Sequence, residues 1–365
     1  MKKAFTFLAV LTISTIAFSQ QLHLTQFATL THNDTVTGQW YGPTAFADAH
    51  NAAVHGDIIT LSPGSFNCVC ITKAVTVRGA GMLRDTLAMT QPTTITGRFW
   101  VDIPNLADQH LTMEGICFSG DYFVYRTLYN PHFNKCKFNS IVRHSHNNTY
   151  GWVDVSCNLP IFTNCIIGSW DGATTASNAM FINSIVLSSM TGSSPSIRDY
   201  YNDNGWSNSW NNNEQYNRGI SADVYYNCII GISPTLTNNK RNIVNCITFS
   251  HDTTQGSAAN VYNTVGIDDS SNFYTITSNH GNTNVSSLES IFKTFRGNYT
   301  EGETFELTPE AAATYLGSDG TQVGIYGGSA VYNPKATDMR IKKYSVGFYS
   351  DENGQLKITT ELENE

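Results

Sequence analysis

Two stretches hold most of the side chains that could do chemistry. The first is VRHSHNNTYGWVD, Val142–Asp154, with Arg143, His144, His146, Tyr150, Trp152 and Asp154 within thirteen residues. A β-elimination on an acidic sugar needs a base beside the acidified C–H and a cation on the carboxylate. Arg143, His144, His146 and Tyr150 are the candidate catalytic set for that chemistry, and Trp152 would hold the sugar. His144 and His146 fall on one side of an extended chain, the spacing of a metal-binding pair. The competing reading is a solvated polar loop without a task.

The second stretch is SMTGSSPSIRDYYNDNGWSNSWNNNEQYNRG, Ser189–Gly219. Sugars present apolar C–H faces and hydroxyl rims, so rings set among amides, carboxylates and guanidines suit them. Arg198, Tyr200, Tyr201, Trp206, Trp210 and Arg218 are therefore candidate substrate-binding residues. Their alternative is to fold back and cover the flank of the body. No metal ligand is assigned. Clustered carboxylates would mark calcium, but no Asp/Glu file recurs along the chain, so the cofactor stays unknown and calcium stays open. Cys68-x-Cys70 lacks the second pair that a zinc site requires.

The elements that must position these residues emerge from self-similarity. FTNCIIGS (Phe162–Ser169) returns as FINSIVLS (Phe181–Ser188), YYNCIIGIS (Tyr225–Ser233), IVNCITFS (Ile243–Ser250) and VYNTVGID (Val261–Asp268). Looser copies are FNKCKFNS (Phe133–Ser140) and MEGICFSG (Met113–Gly120). From Cys165 to Ser184 is 19 residues, and Cys228 to Cys246 and Cys246 to Thr264 are each 18. Cys136 to Cys165 is 29 and Ser184 to Cys228 is 44, the ordinary step plus insertions. Such a period fits one turn of a solenoid of short parallel strands, stacked about 4.8 Å apart. Both chemical stretches then lie in the insertions.

In that stack Asn164, Asn183, Asn227, Asn245 and Asn263 form a ladder at a bend, which Asn tolerates. Its amides are expected to bond the next coil. Cys136, Cys165, Cys228 and Cys246 read as small buried hydrophobes in one interior file. Cys228 and Cys246, on adjacent coils, stand within reach of a disulfide.

GDIITLSPGSFNCVCITKAVTVRGAG, Gly56–Gly81, resembles the first coil of right-handed parallel β-helix proteins of the pectin-lyase-like superfamily. The resemblance covers most of residues 40–330. Before it, AFADAHNAAVHG reads as a helix capped by Thr44 and ending at Gly56, with Phe46, Ala49 and Ala53 on one face. FELTPEAAATYLGSDGTQVGIYGG, Phe305–Gly328, resembles the closing coil of secreted bacterial members. SSLESIFKTFRG ahead of it reads as a short amphipathic helix, and KYSVGFYSDENGQLKITTEL behind it as a hairpin turning at Asn353-Gly354. The expected fold is all-β: a right-handed parallel β-helix of about 18–20-residue coils with an N-terminal capping helix and a C-terminal β-hairpin.

The resemblance implies action on acidic polysaccharides, and it directs attention to hydrolase-like motifs. NTVGIDD (Asn263–Asp269), NHG (Asn279–Gly281) and RIK (Arg340–Lys342) echo the polygalacturonase family. Val265 stands where that family has Asp, Asn279 where it has Gly, and Arg340 lies beyond the closing coil. Hydrolysis is rejected on those grounds.

Lys2 and Lys3, the apolar run Ala4–Phe18 and small residues at Ala17 and Ser19 read as a signal peptide. No Cys follows closely enough to be lipidated. Residues 1–19 are thus a leader, 20–330 the solenoid with its cap, and 331–365 the hairpin tail. Export to the extracellular space, the periplasm or the cell surface is expected. Without the leader the net charge of −8 becomes −10, 19 basic against 29 acidic residues. That disfavours nucleic acid, which needs a broad positive field. No later run is long enough to span a membrane. The expected protein is a monomer that binds or acts on a complex carbohydrate, with a non-catalytic adhesin or scaffold as the alternative.

Overall fold

The computed structural model describes residues 26–85, 90–97, 99–104, 106, 109–120, 122–124, 128–143, 147–148, 151–152, 157–170, 179–187, 224–231, 242–249, 260–267, 279–295, 299–335, 340–350 and 356–363. Among them the chain is all-β with two short helices, and it builds two long, mainly parallel sheets of 11 and 13 strands. The arrangement is consistent with a β-helix solenoid. The chain lays a strand in the first sheet, bends over two residues, and lays the next in the second. Ile161–Thr163, the bend Asn164-Cys165 and Ile166–Trp170 make one such passage.

The bend explains the repeat. Asn164, Asn183, Asn227, Asn245 and Asn263 have φ of 55, 45, 53, 56 and 46°. This is the left-handed region, where Asn is among the few side chains at ease. Gly115 and Lys135 hold the same station in the two looser copies, with φ of 65 and 53°. The following residues, Cys136, Cys165, Ser184, Cys228, Cys246 and Thr264, are fully buried. They are more than small hydrophobes. Ser184 Oγ donates to the carbonyls of Ile182 (2.8 Å) and Phe162 (3.2 Å). Cys165 Sγ stands equivalently at 3.3 and 3.4 Å from those of Thr163 and Phe133. Cys and Ser interchange because each brings a donor to two equivalent carbonyls, and Thr264 Oγ1 donates to the equivalent Tyr262 carbonyl at 3.0 Å. Cys228 and Cys246 are free thiols, and the Cys228 backbone N–H donates to Cys246 Sγ at 3.3 Å.

Inside the first sheet runs an aromatic file. Phe133–Phe162, Phe162–Phe181 and Phe181–Tyr225 stack with centroids 5.0, 5.0 and 4.7 Å apart. In-register parallel pairing enforces it, since Phe162 faces Phe181 and Phe181 faces Tyr225. From Ile166 to Val265 the second sheet is buried on both faces. Ile167 and Val186 point inward, while Ile166, Ile185, Ile229, Ile247 and Val265 join a second core outside. Apolar doublets in the repeat are the mark of that double burial.

The outer cover comes from residues 288–295 and 299–332, which pack as a strap along the second sheet. Its Phe292, Phe295, Phe305, Leu307, Val323 and Ile325 are buried against the isoleucine file. Asn183 Nδ2 donates to the carbonyls of Ile325 (2.9 Å) and Gly327 (2.8 Å), and Asn245 Oδ1 accepts from Ser318 N–H at 2.9 Å. The strap thus runs back toward the N-terminal coils, as far as Glu301 on Lys137 at 3.2 Å. Two expectations change here. Phe305–Gly328 lies along the flank instead of forming a closing coil, and the amides of Asn183 and Asn245 bond this strap, where bonds to the next coil were expected.

Three local readings also change. The segment Ser286–Phe295 is a series of turns, because Phe292 bridges Leu307 and Lys293 N–H donates to the Glu306 carbonyl, which holds the chain too extended for a helix. The N-terminal helix α1 spans Ala45–Ala52, short of Gly56, and Thr44 does not cap it with its side chain. Thr44 sits in the right-handed helical region and its hydroxyl donates to Asp48 instead, at 3.2 Å. Strands β1 (Phe27–His32) and β2 (Thr35–Tyr41) form an unforeseen antiparallel hairpin at the head of the first sheet. It turns on Asn33 and Asp34, with φ of 47 and 59°. At the other end Arg340–Ser350 and Leu356–Glu363 pair as an antiparallel hairpin, and its Asn353-Gly354 lies outside the described residues.

Candidate functional site

Arg143 was expected in a loop off the body. It is the last residue of the strand Lys137–Arg143, in register with Val124. That position extends a third side, in which Cys70–Ile71, Phe99–Val101 and Tyr122–Val124 pair in parallel. Trp152 faces Asn147 in a separate two-residue ladder. His144, His146, Tyr150 and Asp154 lie outside the described residues, as do Arg198, Tyr200, Tyr201, Trp206, Trp210 and Arg218. The structure therefore seats Arg143 and Trp152 in two different ladders. Asn279–Gly281, the echo of a hydrolase motif, is a 3-10 turn at the next bend. Asn282 continues the interior file there, accepting from Thr264 N–H at 3.1 Å.

The chemistry-bearing cluster that the described residues do assemble sits on the outer face of the first sheet. His132, on the strand His132–Asn134, points outward because Phe133 between its neighbours is buried. The His110 ring meets it with centroids 4.3 Å apart and planes at 43°. Asn130, at φ 45°, brings Oδ1 to 3.3 Å from His132 Nε2. With Nε2–H as the donor, Nδ1 keeps its lone pair. Burial, and then the neighbouring His110, lowers the His132 pKa, so the imidazole is held neutral at neutral pH. Tyr129, 42 % exposed, lines the same small cavity as His110.

His110, Tyr129, Gln109, Leu128 and Ile103 rim a cavity of about 10 Å³, room for one water and no more. A ligand would lie across this surface, since it could not enter it. One file over, Arg78, Glu114 and Asn134 sit in register. Asn134 Nδ2 donates to Glu114 Oε1 at 3.1 Å, and Arg78 Nε stands 3.7 Å from Glu114 Oε2, an ion pair too long for a hydrogen bond. A neutral base, an amide and an ion pair thus share three adjacent strands, and the Tyr129 phenol stands off them in the two-stranded ladder of Leu128–Tyr129 with Cys157–Asn158.

Among the described residues no group of three His, Cys, Asp or Glu side chains stands close enough to hold a metal. Cys68 and Cys70 are exposed, and burial followed by Asp102 raises the Cys70 pKa, which disfavours its thiolate. Reading the sequence for dense local clusters missed His110 and His132. They are 22 residues apart and meet only because they lie on consecutive coils. The signal available was phase, since Arg78, Glu114 and Asn134 each stand just before a bend. Comparison with family models, with curated proteins and with solved structures gave no match.

Proposed function

We propose that this chain is an exported right-handed parallel β-helix protein of the pectin-lyase-like kind that holds a complex carbohydrate on the outer face of its first sheet. The observation that carries the reading is the cluster around His132. Adjacent parallel strands present an imidazole, an amide and charged groups side by side, with His110 and Tyr129 at the edge, while the strap packs on the other sheet. Sugars are bound by such mixtures of ring faces and directional polar groups. The two insertions, with Arg143, His144, His146, Tyr150 and Trp152 in one and Arg198 to Arg218 in the other, would flank the ligand.

Affinity electrophoresis of the protein without residues 1–19 against a polysaccharide panel tests this. Retarded migration on at least one glycan is expected, relieved by Tyr129→Ala and His132→Ala. Unretarded migration across a broad panel would sink the glycan reading and leave a scaffold or adhesin.

A second reading, elimination by a lyase, is favoured by the neutral His132 imidazole against His110, which shares a cavity rim with the Tyr129 phenol. Nδ1 would take the proton next to a uronate carboxylate, and Tyr129 would return a proton to the leaving oxygen. Absorbance of the unsaturated product, measured with and without calcium, decides it. A rise that His132→Ala abolishes supports catalysis, and binding without a rise leaves a binding protein.

A further inference from the structure

His110 and His132 come from consecutive coils, and their ring centroids stand 4.3 Å apart with planes at 43°. Both rings reach solvent, His110 exposed and His132 half-buried, while Leu111 and Phe133 beside them are buried. The His132 N–H donates to the Leu111 carbonyl at 2.9 Å. A hydrogen bond between coils thus fixes the two histidines relative to one another. Side chains on backbone tied in this way are placed more precisely than those on free loops.

His132 also has the support that a metal-binding imidazole needs. Its Nε2 lies 3.3 Å from Asn130 Oδ1. An amide oxygen can only accept, so Nε2 carries the proton and Nδ1 offers its lone pair. A partner holding the other ring nitrogen is the usual companion of a histidine bound to a metal.

The spacing suits one shared ion. Two nitrogens on an ion, each bonded at about 2.1 Å, lie at most about 4.2 Å apart. Centroids 4.3 Å apart let one nitrogen of each ring reach that separation by side-chain rotation alone. Imidazole selects late first-row divalent ions, whereas calcium and magnesium take oxygen. Two protein ligands leave the other positions to water or to the oxygens of a ligand lying across the face.

We propose that His110 and His132 together bind one late first-row divalent cation, Cu2+ most tightly, with Asn130 orienting His132. The metal alone is the probe, so the proposal is independent of the carbohydrate reading. It does bear on elimination, because an ion on Nδ1 occupies the lone pair that would take the substrate proton.

Titration of Cu2+, Ni2+ and Zn2+ into the full chain, followed by calorimetry, tests it, with electron paramagnetic resonance for Cu2+. One tight site is expected, tightest for Cu2+, with two nitrogens in the copper spectrum. Asn130→Gly keeps the left-handed angle of φ 45° and should weaken binding about 10–100-fold. His110→Ala and His132→Ala should each weaken it further and leave a single nitrogen, with unaltered circular dichroism. The paired variants His144→Ala with His146→Ala, and Cys68→Ser with Cys70→Ser, should leave the site unchanged. Affinity that neither His110→Ala nor His132→Ala moves overturns the proposal. So does loss of the ion in either paired variant, which would place the binding elsewhere in the chain.

Discussion

His50 is the clearest case of a single side chain setting a condition on the fold. It lies on the buried face of α1, 2 % exposed, and its Nε2 accepts from Thr72 N–H at 3.2 Å. The proton must then sit on Nδ1, which has no partner. Burial first and Lys73 second lower its pKa to about 4. The fold therefore prefers the neutral ring, and its contribution is whole above the unfolded pKa near 6.5. As pH falls from about 6.5 to 4 the unfolded chain gains the proton first, and stability drops by up to about 3 kcal/mol. Denaturant titrations at a series of pH values should give that slope, and His50→Gln should flatten it. Asn183 is a second case, with φ 45° and two bonds to strap carbonyls. Asn183→Ala should cost about 3 kcal/mol, from two lost hydrogen bonds and left-handed strain. Asn183→Gly keeps the angle and should recover about 1 kcal/mol of it. Equal melting of the two variants would remove the backbone part of the argument.

At the scale of the element, the repeated bend was legible because it recurs at fixed spacing and both its residues are constrained. The left-handed angle favours Asn or Gly, and from Cys136 to Thr264 the buried station holds a small donor. Lys135 was harder to read, since nothing in its side chain announces φ 53°. The β1–β2 hairpin was signalled by Asn33-Asp34, but outside the repeat the dipeptide had no register to give it meaning. The interior file makes a prediction of its own. Cys165→Ser should cost less than about 1 kcal/mol, because Ser184 already fills the equivalent station on the next coil with the two equivalent carbonyls. Reductant should leave the melting temperature unchanged, because the paired stations hold free thiols. Phe181→Ala, by contrast, empties a fully buried place in the aromatic stack and should cost about 3–5 kcal/mol. Chemical denaturation of the two variants side by side checks both.

For the whole molecule, what the sequence could not convey was long range. The contact of Asn183 with Ile325 spans 142 residues, and no periodicity reports it. The candidate site escaped for a related reason, since His110 and His132 become neighbours by stacking of coils, while the ring-rich insertions stand out to any local reading. The strap makes the molecule two-layered, and Phe305→Asp should separate the layers. Melting should then show two transitions, with an apolar dye binding after the first, whereas one sharp transition would mean that solenoid and strap never part. The direction of the strap has a consequence in time. A ribosome delivers the coils from head to tail, and each can stack on its predecessor as it appears. The isoleucine file from Ile166 to Val265, however, waits uncovered until Leu288–Tyr332 has been made. The segment synthesised late then closes over surface made long before it. A chain halted between those two moments would be ordered inside yet adhesive along one whole side, so the interval between them is when this protein would most need a chaperone.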